Sequence, residues 1–572
     1  MKTKLAFSTV LLFLVVIVTG CAATQNLTSK FINTDSSKDE PLALPEKKFI
    51  SSLEPSERGD LLVITPQRVD TRKDILPIKS TQAYLQSIVD KLIEQWPHGK
   101  PDVKVFVSSK KDYSAMAGPD DSILVRFDLI QKSDSEDEIT FILAHELAHI
   151  LLNHAHRDSF QEDQRQAARI IAKLSRVTSM IEEIDIKDGL EVDVKEVEQT
   201  NARTYALYDN TVDIMRDLFN PVWARSQEDD ADLLAIDLMV AAGYNPEATL
   251  DVFDRFESYH NKKEALITVF TDSLKGQAAE LLKKASSKEI ENAQGELEFG
   301  KLTSQAKKKL LERAKTEAKE RLLSSTHRKP LTRKQALQEY YTREYPDASN
   351  REYRFDKLDK IRASKEMKQA ASSIDALIKA RTAFQTGDID EANKEIKKAL
   401  RGNMKSFADG LWLKYQISRA TRDFESAVNI LEKAQKGRNP GIDSYEALFT
   451  LYWKLDRIDD AMKLIQTAEK RYGDHDHFRP EKIFLEANSD LKFTSENNES
   501  NKTTLMQVKS CESLKKDYLH CVCKASGVTS DPEFRQKFSQ ILHVKREQEK
   551  QTQNRFFKTI SDVFDMTSGA CG

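Results

Sequence analysis

The stretch from Ser135 to His154, Ser-Glu-Asp-Glu-Ile-Thr-Phe-Ile-Leu-Ala-His-Glu-Leu-Ala-His-Ile-Leu-Leu-Asn-His, constrains the fold more than any other part of this chain. Ser135 followed three residues later by Glu138 is a capping-box signature for a helix start. Ile139, Ile142, Leu143, Leu147, Ile150 and Leu151 then recur at helical spacing, which predicts a mostly buried helix. Buried polar groups need partners, so two imidazoles on such a helix need an explanation. His145 and His149 are one turn apart on one face, with Cβ atoms about 5–6 Å from each other. Two imidazoles so placed can converge on one metal ion at roughly 2.0–2.1 Å each. Glu146 sits one position on from His145, where its carboxylate can act as general base on a water that the metal activates. His154 lies five residues after His149, hence on a different face, and reads as a structural or ligand-supporting group rather than a ligand; His156 follows it.

A second acidic stretch completes the donor set. Pro221 opens a helix that carries Arg225-Ser-Gln-Glu228-Asp-Asp-Ala-Asp232, and Gly243 closes it, with Asn245-Pro246 as a fresh cap. Glu228 and Asp232 are one turn apart. Glu228 can be the third metal ligand, leaving a fourth position open as a catalytic zinc requires. Asp232 can accept a hydrogen bond from a liganding histidine and set its tautomer. Acidic pairs at this spacing often only face solvent, so this motif gains its weight from the first.

Together, His145-Glu146-x-x-His149, Glu228-x-x-x-Asp232 and Ala-Gly-Tyr-Asn-Pro at 242 to 246 resemble the HtpX/BepA-like zinc metallopeptidases, which are gluzincins. Ser114-Ala-Met-Ala-Gly118 also resembles the family's sequence ahead of its metal helix. Ser325-Thr326-His327 with Arg333 resembles its Thr-His-Pro…Arg segment. Here Arg328 stands in place of that proline, with Pro330 two residues later, and the stretch from His149 to Glu228 is long for the family. The resemblance covers roughly residues 60 to 345. It implies one zinc ion per subunit, held by His145, His149 and Glu228, with Glu146 as the general base. It also implies roles near the zinc for His327 and Arg333. His327 would occupy the open coordination site in a latent state or help stabilise the oxyanion; a plain surface histidine is the alternative.

The N-terminus reads as targeting. Lys2 and Lys4 precede an apolar run from Leu5 to Val18, then Val18-Thr19-Gly20-Cys21. This resembles a bacterial lipobox, which implies that Cys21 is lipidated; Ala22 after it favours the outer membrane, facing the periplasm. An ordinary cleaved signal or an uncleaved anchor is the alternative. Residues 22 to about 58, rich in Ser, Lys, Asp, Glu and Pro, read as a tether.

The rest of the chain points to an α+β, mainly helical protein with a zincin-type metallopeptidase domain over residues 59–345. Only 18 glycines and 31% charged residues fit a helical protein with solvated faces. Leu61 to Ile64 reads as a strand or buried turn, Val103 to Val107 alternates as a half-buried strand should, and Ile123 to Val125 reads as a second short strand. A short mixed sheet beside the metal helix would offer an edge for an extended peptide. The net charge of −3 gives no reason to invoke nucleic acid. Basic stretches between 260 and 345 have interleaved Glu and Lys, and read as solvated helix faces.

From residue 372 to 482 a repeat recurs. Ile389, Phe424 and Ile458 correspond, as do Ala392, Ala427 and Ala461, and Ala399, Ala434 and Ala468, at steps of 35 and 34 residues. That period is the tetratricopeptide signature, although Tyr415 and Phe449 stand where small residues are usual. Such an array binds peptide segments; an architectural helical bundle is the alternative. A polar linker then leads to residues 505–572, where Cys511, Cys521, Cys523 and Cys571 read as two disulfides in an oxidising compartment, with a metal site as the lesser reading.

Two functions fit this organisation. One is a zinc endopeptidase of the bacterial periplasm whose substrates are unfolded or misassembled envelope proteins brought in by the repeats, with the outer-membrane assembly machinery as a possible partner. The other is a lipid-anchored scaffold or chaperone with a latent or structural zinc. Glu146 favours the enzyme, since a structural metal has no use for a general base.

Overall fold

The computed structural model describes residues 42–54, 68–154, 225–256, 330–455, 457–473 and 478. Helix α1 (Lys79–Ile93) buries Tyr84, Leu85, Ile88, Val89 and Leu92, spaced to form one apolar stripe. Strands β1 (Lys104–Ser108), β2 (Ala115–Ala117) and β3 (Ser122–Arg126) follow. They form a three-stranded mixed sheet in the order β1-β3-β2. β1 pairs parallel with β3, Val105 opposite Ile123, and β2 pairs antiparallel with it, Ala117 opposite Ile123. Every residue of β3 is buried, which is why its apolar run is continuous rather than alternating. The mixed sheet agrees with the expectation, but β2 was not among the expected strands: three residues are too few for alternation to register.

Helices α2 (Phe127–Lys132) and α3 (Glu136–Leu151) come next, α3 being the metal helix. At its start Ser135 accepts a hydrogen bond from the Glu138 N–H at 3.2 Å, one half of the capping box. The other half differs. Glu138 accepts from the N–H of Asp134 and from Tyr113 Oη, both at 2.8 Å, and pairs with Arg255 Nε at 3.0 Å. The two residues before it are also buried and bonded. Glu136 meets the hydroxyls of Tyr84 and Tyr244, and Asp137 accepts the N–H groups of Asn245 and Arg354. Three carboxylates at a helix N-terminus suit its dipole. Here they also tie that end of the helix to α1, to the turn after the next helix and to a segment more than 200 residues further on.

Helix α4 (Arg225–Ala241) packs along α3 and ends at Gly243, whose φ of 79° is the left-handed conformation that glycine adopts without strain. Residues 248–256 are helical, and α5 (Pro330–Glu344) lies against α4. The region read as a tether is only partly one, because residues 42–54 are docked on this pair. Leu42 is buried, and Phe49, Ile50 and Leu53 pack on the core. The Phe49 N–H donates to Tyr340 Oη and the Ile50 N–H to Asp237 Oδ2, both at 2.7 Å. Composition concealed these few apolar residues and their buried acceptor.

Helix α6 (Asp356–Ala363) leads into three packed helix pairs: α7 (Lys365–Thr386) with α8 (Ile389–Ala399), α9 (Ala408–Ala420) with α10 (Phe424–Gln435), and α11 (Ile442–Lys454) with α12 (Ile458–Tyr472). The first pair begins at Lys365, earlier than the expected 372. Ala392, Ala427 and Ala461 are fully buried, as small residues must be where helices approach closely. Asp388 and Asp423 cap the second helices of the first two pairs; Arg457 stands at the third and makes no side-chain cap.

The first pair is continuous with the domain that carries the metal helix. One apolar cluster runs from Leu42 to Ala420 and takes in α1, the sheet and α3 to α8, while a second holds the later helices from Leu411 to Phe478. Polar contacts join the same parts. Glu366 of α7 accepts the Thr81 N–H at 3.1 Å, capping α1 from outside it. Lys73, 4% exposed, lies 3.5 Å from the Asp443 carboxylate and 5.1 Å from the Trp412 ring centre.

Candidate metal centre and active site

All of α3 is buried except Glu146. His145 and His149 project from it with their Nε2 atoms 3.2 Å apart and their rings nearly perpendicular, at 79°. Helix α4 brings in Glu228, 2% exposed, whose carboxylate oxygens lie 3.3 Å from His145 Nε2 and 3.7 Å from His149 Nε2. The three side chains are buried and their ligand atoms all lie within 4.8 Å of one another.

This donor set fits zinc. On the outer side both Nδ1 atoms are engaged: that of His145 with Asp232 Oδ1 at 3.0 Å, that of His149 with His154 Nδ1 at 2.8 Å. The inner side therefore presents two Nε2 atoms and a carboxylate, the two-histidine, one-glutamate set of catalytic zinc sites. The Nε2 spacing of 3.2 Å is close to the roughly 3.3 Å between two nitrogen vertices of a tetrahedron with zinc–nitrogen bonds of that class.

Asp232 is held in turn by Arg333, from Nε to Oδ2 at 2.6 Å and Nη2 to Oδ1 at 2.5 Å. Burial by itself would raise the Asp232 carboxyl, but Arg333 and His145 outweigh it and hold the group well below the usual carboxylate range. Burial would likewise lower His145, yet the Asp232 and Glu228 carboxylates beside its ring nitrogens outweigh it and leave it raised. Asp232 is thus a permanent anion behind the first ligand, so the His145 Nδ1 proton points outward.

Glu146 lies beside the triad, and its Oε2 accepts the N–H of Ala117 at 2.7 Å. Ala117 belongs to β2, which among the described residues pairs with β3 alone. Among the described residues, the outer edge of the sheet and the carboxylate are therefore adjacent.

The structure brings together His145, His149, Glu228, Asp232 and Glu146. Arg333, expected among the catalytic groups, is instead 5% exposed behind Asp232, with its guanidinium 4.8 Å from the Phe253 ring centre. Its position supports a ligand's partner rather than the reacting atoms. His327, His156, Cys21, Cys511, Cys521, Cys523 and Cys571 lie outside the described residues, as does the long stretch between the two ligand helices. Sequence reasoning passed over the Ala117 N–H and Gln227, whose Nε2 donates to the His154 carbonyl at 3.3 Å. A backbone donor leaves no mark in a sequence, and Gln227 was visible only as the neighbour of Glu228.

No curated protein matches this chain. Residues 79–341 do match the model of Peptidase family M48, and this stretch contains the whole centre just described. The matched stretch and the buried His145, His149 and Glu228 group together identify a zinc metalloprotease, a hydrolase of peptide bonds.

Proposed function

We propose that the enzyme is an endopeptidase that cleaves unfolded or misassembled envelope proteins. An extended segment of the substrate would lie along the free edge of β2, where main-chain hydrogen bonds hold a strand of almost any sequence. The observation that carries this reading is the position of Glu146: the one unburied residue of α3, beside the metal ligands and bonded to the edge strand. A purely structural zinc site would not need it.

When bound by His145, His149 and Glu228, zinc supplies Lewis-acid polarisation of the scissile carbonyl and acidifies water. Glu146 takes the proton of the attacking water and passes it to the leaving amine nitrogen. Asp232, backed by Arg333, keeps His145 in the liganding tautomer throughout. The three helix pairs are read as degenerate tetratricopeptide repeats that recruit substrates. Their period and buried alanines support this, and the core that the first pair shares with the metal-helix domain would keep a captured chain close to the metal centre. The lipobox-like segment ending in Cys21 supports attachment to the periplasmic face of the outer membrane.

The test compares the full zinc-loaded chain with its Glu146→Gln variant on an unfolded polypeptide. Cleavage should fall by about 10²–10⁴-fold in the variant, with zinc content unchanged. Equal cleavage by both proteins would rule out Glu146 as the base.

A further inference from the structure

His145 and His149 are both ligand candidates, but they are supported differently: His145 leans on a carboxylate and His149 on another imidazole. We propose that His154 is a positioning residue of the metal centre, whose Nδ1 accepts the Nδ1 proton of His149 and so holds the tautomer that presents His149 Nε2 to zinc. This rests on the zinc site described above and adds to it a residue that neither ligand spacing nor the general-base role requires.

The turn after α3 produces the contact. In a continued helix His154 would lie about 140° round the axis from His149, out of reach. Instead α3 stops at Leu151, and the Leu152 and Asn153 N–H groups close the end on Ala148 and Ile150 carbonyls. Asn153 adopts a φ of 52°, a left-handed conformation that asparagine tolerates better than most residues. That residue reverses the chain and returns the next side chain beneath the helix. His154 is 3% exposed there, 2.8 Å from His149. Its own carbonyl accepts from Gln227, the residue before Glu228, so one short segment touches both ligand-bearing helices.

Proton bookkeeping fixes the roles. A histidine that binds metal through Nε2 carries its proton on Nδ1, so His149 donates in this pair. His154 Nδ1 must then be the acceptor, with its own proton on Nε2. The reverse arrangement would place a proton on His149 Nε2, where the metal has to bind.

The experiment measures zinc affinity of the full chain by chelator competition, and the visible spectrum of the cobalt-substituted protein, for wild type, His154→Ala and His154→Asn. Far-ultraviolet circular dichroism of the metal-free proteins controls for folding. His154→Ala should bind zinc about 10–100-fold more weakly and shift the cobalt bands. His154→Asn, whose side-chain carbonyl can accept the same proton, should recover most of both. Wild-type affinity in His154→Ala, or equal losses in the two variants, would overturn the proposal. If His154→Ala does not fold, the asparagine variant decides: near-wild-type affinity supports the role and a tenfold loss removes it. A wild-type chain that binds no zinc would overturn the metal centre itself, an outcome distinct from failure of the variants.

Discussion

Arg333 and Asp232 meet side-on in the core, two nitrogens on two oxygens, although 101 residues separate them in the chain. Neither reaches solvent, with exposures of 5% and 1%. Asp232 spends one of the same oxygens on His145, so the guanidinium, the carboxylate and the imidazole form a single chain that ends at the metal site. Helix α5 is in this way part of the metal centre without contributing a ligand.

Breaking this pair should cost more than an ordinary salt bridge. Arg333→Met would leave the Asp232 carboxylate buried without its cation, a loss of about 3–5 kcal/mol in unfolding free energy. Zinc affinity should fall with it, by roughly 10–100-fold. Arg333→Lys restores the charge but not the planar fork and should lie between the two. Denaturant unfolding and chelator competition measure both effects; a methionine variant within about 1 kcal/mol of wild type would show that the pair is dispensable.

Gly441 carries the contact between the third helix pair and the segment that precedes α1. Its φ is +75°, and a Cβ there would come within 2.9 Å of Lys73 Cβ and 3.0 Å of Lys73 Cα. Gly441→Val meets both obstacles and should destabilise the chain by at least about 2 kcal/mol. Limited proteolysis should then cut first near the α11–α12 pair. An unchanged thermal midpoint would mean that this contact does not hold the pair in place.

Asp120, in the turn between β2 and β3, makes stability depend on pH. Burial, then the negative charge of Asp70, push its carboxyl up to about 6. The folded state therefore prefers the protonated acid. Its contribution is fully present below the unfolded value near 3.8 and is lost as pH rises through about 6. Asp120→Asn keeps an acceptor for the Val69 N–H, which Asp120 Oδ2 receives at 3.0 Å in wild type. The variant should gain up to about 3 kcal/mol over wild type at pH 8 and little at pH 4, read from thermal midpoints at both values. The opposite sign would place the carboxylate in a better-solvated setting than the structure gives it.

The metal helix, its cap, two strands, Glu228 with Asp232, and the steps of 35 and 34 residues between the helix pairs were legible in the sequence because each depends on short-range spacing. Four residues along an α-helix bring two side chains to the same face whatever surrounds them, so His145 and His149 declared themselves. Likewise, the alanines at 392, 427 and 461 recur because every helix pair meets the same packing constraint.

What the tertiary structure decided lies where distant segments meet or where the backbone leaves its regular path. Arg333 reads as one more basic residue until α5 packs on α4 and turns it onto Asp232. Residues 42–54 read as tether until Asp237 and Tyr340, far along the chain, supply acceptors for their N–H groups. His154 looked misplaced by helical arithmetic, and one left-handed residue, Asn153, reversed that. Local periodicity is a property of a single element and can be counted along the chain. The partners of a buried charge or a folded-back turn depend on which surfaces come together, and packing alone determines that.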